Sequence, residues 1–207
     1  PVPESRAAQQ TLSSPLVLQL EGLTFHYPRR ELFTGLSARI PTGVTLVTGG
    51  DGAGKTTLLR LLAGDLKSQS GRVDCPSPVF WTDPKSTAFD QLTVAAYFKS
   101  LRPLYPQFDE QALADLIEGL SLAEHQHKPL YMLSAGSKRK VWLAAAFAAG
   151  AAVTLLDEPF AALDMASISI VIERLAESAN HLTRTWVLAD YEAPRGVPLA
   201  ATIDLGS

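Results

Sequence analysis

A single cysteine, Cys75, stands in 207 residues. One thiol excludes an intrachain disulfide framework, the usual staple of small secreted domains. His26, His125, His127 and His181 share no metal-ligand spacing with it, so no Cys/His zinc cluster is encoded. Excess positive charge is missing as well: 18 Lys and Arg stand against 21 Asp and Glu, a net charge of −3. Without a basic field, no nucleic-acid partner is expected. Nor is there a long apolar run. The longest uncharged stretch, Val141 to Leu156, is interrupted by Gly150 and closed by Asp157-Glu158-Pro159, whereas a membrane helix needs about 20 apolar residues. It reads instead as a buried, alanine-rich helix followed by a buried strand. Pro1 to Pro15 has no basic stretch leading into an apolar one, so it reads as a polar, mobile tail and not a signal peptide. A cytoplasmic protein is the simplest expectation.

What is present suits one α/β domain with a subdomain inserted: 46% of the residues are hydrophobic and 19% charged. Strands are expected at 16–20, 23–27 and 36–40, the first two separated by Glu21-Gly22. Val44 to Thr48 is a short, uncharged, β-branched run, as a strand buried on both faces requires. A glycine-rich turn and a helix over Lys55 to Ala63, closed by Gly64, come next. The segment 65–90 reads as irregular, with a strand near Val79 to Trp81. Helices are expected over 92–101, 110–120, 138–149 and 168–178, the third capped by Ser134 or Ser137. Val153 to Leu156 and Thr185 to Ala189 are two more buried strands.

Gly49-Gly50-Asp51-Gly52-Ala53-Gly54-Lys55-Thr56 satisfies G-x-x-x-x-G-K-[ST] between a buried strand and an amphipathic helix. Glycines permit positive φ and let backbone N–H groups approach phosphate oxygens. The helix N-terminus directs its positive end at the same anion. Lys55 is placed to reach the β- and γ-phosphates of ATP and Thr56 to offer a hydroxyl to Mg²⁺; Gly49 through Thr57 are the candidate nucleotide-binding residues. Val153-Thr154-Leu155-Leu156-Asp157-Glu158 is an apolar strand ending in two carboxylates. Asp157 is placed to hold Mg²⁺ through water, and Glu158 to polarise an attacking water.

Leu133-Ser134-Ala135-Gly136-Ser137 resembles the LSGGQ signature of ATP-binding cassette (ABC) ATPases, and Ala161-Ala162-Leu163-Asp164 resembles their D-loop. The motifs stand in family order. The resemblance covers 16–207 and implies a P-loop core with a mostly parallel sheet, an N-terminal antiparallel β part and a helical subdomain at about 84–137. It implies a head-to-tail pair with a second ABC ATPase domain, Ser134 and Gly136 contacting the γ-phosphate of the partner's ATP and Asp164 coupling the sites. Tyr27 resembles the family's adenine-stacking aromatic. A transmembrane permease on another chain is implied, with this domain peripheral at the inner membrane face. Compact length and the LSAG variant resemble the ATPase subunit of the cytochrome c maturation haem exporter.

Three positions depart from the family. Asp83 stands where a glutamine is usual and is kept as a candidate Mg²⁺ or water ligand. Tyr191, with Asp190 beside it, stands where a histidine usually contacts the γ-phosphate; a tyrosine can donate there too. Ser137 replaces the signature glutamine. Asp83 and Tyr191 leave open a nucleotide-binding module with little hydrolysis; a second alternative, a soluble ABC ATPase outside transport, is opposed by the single cassette and the net charge of −3.

Overall fold

The computed structural model describes residues 18–206; the expected tail, and residues 16 and 17 of the first expected strand, lie outside them. Three strands, β1 (Leu18–Tyr27), β2 (Arg30–Ile40) and β4 (Ser70–Asp74), form an antiparallel sheet in the order β2-β1-β4. Five strands, β3 (Gly43–Thr48), β5 (Val79–Phe80), β6 (Val153–Asp157), β7 (Thr185–Ala189) and β8 (Ala201–Asp204), form a parallel sheet in the order β5-β6-β7-β3-β8. The helices are α1 (Lys55–Ala63), α2 (Val94–Leu101), α3 (Glu110–Gly119), α4 (Ala135–Ala148) and α5 (Met165–Ala179).

Side chains of β3, β6 and β7 alternate between two cores, as the period of two in a strand demands. Val47, Val153, Leu155 and Val187 face α1 and the antiparallel sheet, where Leu58, Leu59 and Phe25 are buried with them. Val44, Leu46, Leu156 and Leu188 face the other core, shared with α2 through α5. Helix α1 therefore lies between two sheets, while α4 buries Ala144, Ala145, Ala146 and Ala148 among its neighbours. That close approach explains the alanine richness: small side chains let a helix be covered on several sides. No helix among the described residues is long and apolar enough to cross a membrane.

Four expectations are corrected. The first two expected strands are one, β1, which continues through Glu21-Gly22 with register shifts against β2 and β4; Gly22, at φ 58, absorbs the irregularity. The third begins at Arg30, not Leu36. Strands β4 and β8 were not expected: both are sheet-edge strands with mostly exposed or half-exposed residues, so neither carries an apolar run. Helices α4 and α5 each start three residues early, at Ala135 and Met165, because Ser134 and Asp164 accept the first-turn N–H groups of Ser137 and Ser167.

Candidate nucleotide-binding site

The parallel sheet places the carboxyl ends of β3, β7 and β6 side by side, where open α/β sheets bind ligands. Three loops meet there: 49–54 after β3, 190–192 after β7 and 158–164 after β6. Backbone bonds lock them together. Asp190 N–H donates to the Val47 carbonyl (3.1 Å) and Glu158 N–H to the Ala189 carbonyl (2.8 Å).

The glycine loop takes the expected positive dihedrals: φ is 152° at Gly49, 76° at Gly52 and 104° at Gly54. Gly54 caps α1 without a side chain, leaving the helix N-terminus bare for an anion. A Cβ at Gly54 would sit 2.8 Å from the Phe33 ring. The loop thus packs against β2 with no space for larger residues. Lys55 is 7% exposed. Its ammonium donates to the carbonyls of Gly49 (2.7 Å) and Gly50 (3.1 Å) and lies 4.0 Å from the centre of the Tyr191 ring. Among the described residues it makes no ion pair. A buried cation satisfied only by dipoles and a π-face is poised for a polyanion.

Thr56 donates from Oγ1 to Asp157 Oδ2 (2.8 Å), so residues 101 apart in sequence share one corner of the site. Asp157 Oδ1 is buried and has no partner. An uncommitted carboxylate oxygen beside a hydroxyl is the hard-oxygen set Mg²⁺ takes, so these residues fit the ion. Burial pushes the Asp157 pKa up; the Thr56 bond opposes this and the Glu158 charge adds to it. The buried charge has a consequence for stability. An acid whose folded pKa is raised contributes stability below its ordinary value of about 3.9, and that stability is lost as pH rises through the raised value. Through Asp157, the ion-free protein loses stability as pH rises through that raised value. Asp157→Asn should therefore raise Tm at neutral pH while ending Mg-dependent turnover. Thermal melts without Mg²⁺ check this; a lower Tm for the variant contradicts it.

A cleft opens over these groups, lined by Tyr27, Arg30, Lys55, Thr56, Glu158 and Tyr191, with Leu32, Gly52, Gly54 and Thr57. Tyr27 Oη and Thr57 Oγ1 lie 3.3 Å apart, and the Tyr27 ring meets Phe25 edge-on; its 38% exposure leaves a surface for stacking. Tyr191 donates its hydroxyl to the Asp51 carboxylate, which pushes the phenol pKa up to about 12. Asp83 does not line the cleft. Its Oδ1 accepts from the Lys85 N–H (2.8 Å), and its charge adds to the upward push on the Asp157 pKa that burial dominates.

Ser134 and Gly136 do not line the cleft of their own chain. Ser134 caps α4 and is exposed. Gly136 packs on the D-loop: a Cβ there would sit 2.5 Å from the carbonyl oxygen of Ala162, itself at φ 61°. Alanine is a better helix former than glycine by about 1 kcal/mol, but this contact outweighs it. Gly136→Ala should lose about 1–3 kcal/mol of stability; denaturant unfolding showing equal or greater stability would overturn the packing argument. Asp164 caps α5 and pairs with Lys140 at 2.6 Å. These contacts hold its carboxyl well below the usual range, the Lys140 bond foremost.

Two residues escaped the sequence reading. Arg30, at the start of β2, donates to the Gly52 carbonyl (2.9 Å) and lines the cleft. Arg139, on α4, donates from one nitrogen to the carbonyls of both Asp157 and Glu158, each at 2.7 Å. It fastens the signature helix to the acidic loop and supports Glu158 at φ 44°, a conformation rare for a residue with a side chain. Nothing in their spacing signalled either contact. No cluster of three or more His, Cys, Asp or Glu suited to a metal occurs among the described residues.

The ABC transporter family model matches residues 33–161. A cytochrome c biogenesis ATP-binding export protein CcmA of Pseudomonas savastanoi pv. phaseolicola is 34% identical over 184 residues, 83% of each chain. A cobalt import ATP-binding protein CbiO of Rhodobacter capsulatus is 36% identical over 171 residues, 72% of this chain and 61% of that one. Among solved structures, an ABC transporter ATP-binding protein from Pyrococcus furiosus superposes with a TM-score of 0.73 at 23% identity, covering 91% of this chain and 97% of that one. That last likeness concerns the fold alone. A family match across more than half of the chain, and relatives spanning most of it, agree with the three loops gathered at the sheet edge: the chain belongs to the ABC transporter ATPases, as an ATP-binding, ATP-hydrolysing subunit.

Proposed function

We propose that this subunit binds Mg-ATP in the cleft between Tyr27 and Tyr191 and drives a permease carried on another chain. The observation that carries the reading is the Thr56–Asp157 corner: a 2.8 Å hydroxyl–carboxylate bond beside a buried Asp157 oxygen, next to a buried lysine, the oxygen without a partner and the lysine without an ion pair among the described residues. Tyr27 stacks on adenine at one end of the cleft. The 49–57 loop and the α1 N-terminus then hold the phosphates, with Lys55 moving from its loop carbonyls to the β- and γ-phosphates. Thr56 and Asp157 hold Mg²⁺, with Asp83 as a further candidate through water. Bound there, Mg²⁺ neutralises charge on the phosphate oxygens. Glu158 takes the proton of the attacking water, its backbone held by Ala189 and Arg139.

Ser134 and Gly136 lie away from this cleft, which supports a role toward the γ-phosphate of ATP held by a second ABC ATPase domain. Closure on ATP and opening after hydrolysis then form a two-state switch. The exposed Tyr131 and Met132, each more than half accessible just before α4, support permease contact on that side. The relative named as a cytochrome c biogenesis export protein, matched over 83% of each chain, supports an exporter subunit, peripheral at the inner face of the membrane. The test is ATP turnover by the purified chain with and without Mg²⁺, together with co-purification from membranes. Mg-dependent turnover and a membrane-protein partner are expected. ATP binding without turnover, alone or with the partner, would favour the binding-module alternative.

A further inference from the structure

One side chain engages the two charged groups of the glycine loop at once. The loop carrying Tyr191 is pinned: Asp190 N–H donates to the Val47 carbonyl (3.1 Å) and Thr48 Oγ1 to the Tyr191 carbonyl (3.0 Å). From that anchor the ring lies under the Lys55 ammonium, 4.0 Å from its centre, and the hydroxyl donates to the Asp51 carboxylate. Lys55 is turned at the same time onto the Gly49 and Gly50 carbonyls. For a nucleotide stacked on Tyr27, the terminal phosphate falls at the opposite end of the cleft, among Lys55, Glu158 and Tyr191. There the Tyr191 ring already engages the Lys55 cation, and the Asp51 carboxylate bonded to its hydroxyl adds like charge nearby.

The geometry points to Tyr191 and Asp51 as a latch on the glycine loop, directed at the γ-phosphate: the ring and hydroxyl contacts close it, and it must swing away before a triphosphate seats. This inference rests on the nucleotide reading of the cleft. Tyr191 is 53% exposed, so opening sacrifices no core packing. What opening loses is the cation–π contact and the charge-assisted hydrogen bond. A diphosphate draws on Lys55 through its β-phosphate but brings no third phosphate toward Tyr191 and Asp51, so it meets less of that cost. The latch thus weakens ATP relative to ADP, and Asp51 adds like-charge repulsion to the same discrimination.

The test titrates AMP-PNP and ADP, each with Mg²⁺, into the full chain and its variants. Tyr191→Phe keeps the ring and removes the hydroxyl bond; Tyr191→Ala removes both contacts. AMP-PNP binding should tighten about threefold in the first and about tenfold in the second, since about 1.4 kcal/mol is a factor of ten, with ADP moved less than twofold. Asp51→Asn should tighten AMP-PNP as well. Its gain should shrink in the Tyr191→Ala background, because the two groups act as a pair. Unchanged AMP-PNP affinity in Tyr191→Ala, or an equal gain for ADP, overturns the latch. Weakened AMP-PNP binding also overturns it and makes Tyr191 a γ-phosphate donor. Failure of the wild type to bind either nucleotide, or undiminished binding by Lys55→Ala, overturns the cleft assignment itself.

Discussion

Glu158→Gln should lower Mg-dependent ATP turnover by about 10²–10⁴-fold, the usual worth of a positioned general base, while leaving ATP affinity close to wild type. The carboxylate sits at the end of β6 on a residue at φ 44°, with its N–H on the Ala189 carbonyl and its own carbonyl on Arg139. None of those bonds uses the side chain, so the amide replaces the acid without disturbing the loop. Glutamine keeps the size and an acceptor oxygen but cannot take a proton from water. In the proposed head-to-tail pair opening follows hydrolysis, so the variant should also accumulate as an ATP-bound dimer. Single-turnover kinetics and light scattering at saturating Mg-ATP check the two halves separately. Turnover within a few-fold of wild type would remove Glu158 from the chemistry. A slow variant that stays monomeric would leave the base in place and argue against a homodimer.

Lys55→Ala should weaken ATP binding by about 10²–10³-fold, from the loss of two charge-assisted phosphate contacts worth about 3–4 kcal/mol together. The lysine is buried, turned toward its own loop carbonyls, and forms no ion pair among the described residues. Its removal should therefore leave the fold intact: no buried counter-charge is stranded, and the freed carbonyls of Gly49 and Gly50 line an open cleft. Titration of AMP-PNP, with a thermal melt as the folding control, measures the effect. Affinity within threefold of wild type would mean that the loop serves something other than a phosphate.

Sequence alone determined the elements that are buried on both sides. Strands β3, β6 and β7 are short uncharged runs because parallel strands between two cores admit little else. Helix α1 was legible end to end, since Gly54 and Gly64 close it in left-handed conformations that few other residues adopt. The glycine loop after β3 and the two acids after β6 were legible as candidate site residues, because the chemistry proposed for them demands those residue types in order. Strands β4 and β8 were not. Their exposed, mixed side chains record only the hydrogen bonds of an edge, which any sequence can make.

Tertiary structure decided which side chains meet across long separations. It set Asp157 on Thr56, Tyr191 on Asp51, Arg30 on the Gly52 carbonyl and Arg139 under the acidic loop. It also gave Gly136 a packing role against Ala162. The Thr56–Asp157 and Tyr191–Asp51 contacts depend on the order β6-β7-β3, which brings loops more than a hundred residues apart to one sheet edge. Strand order follows from how whole faces pack, and no local pattern of residues encodes it.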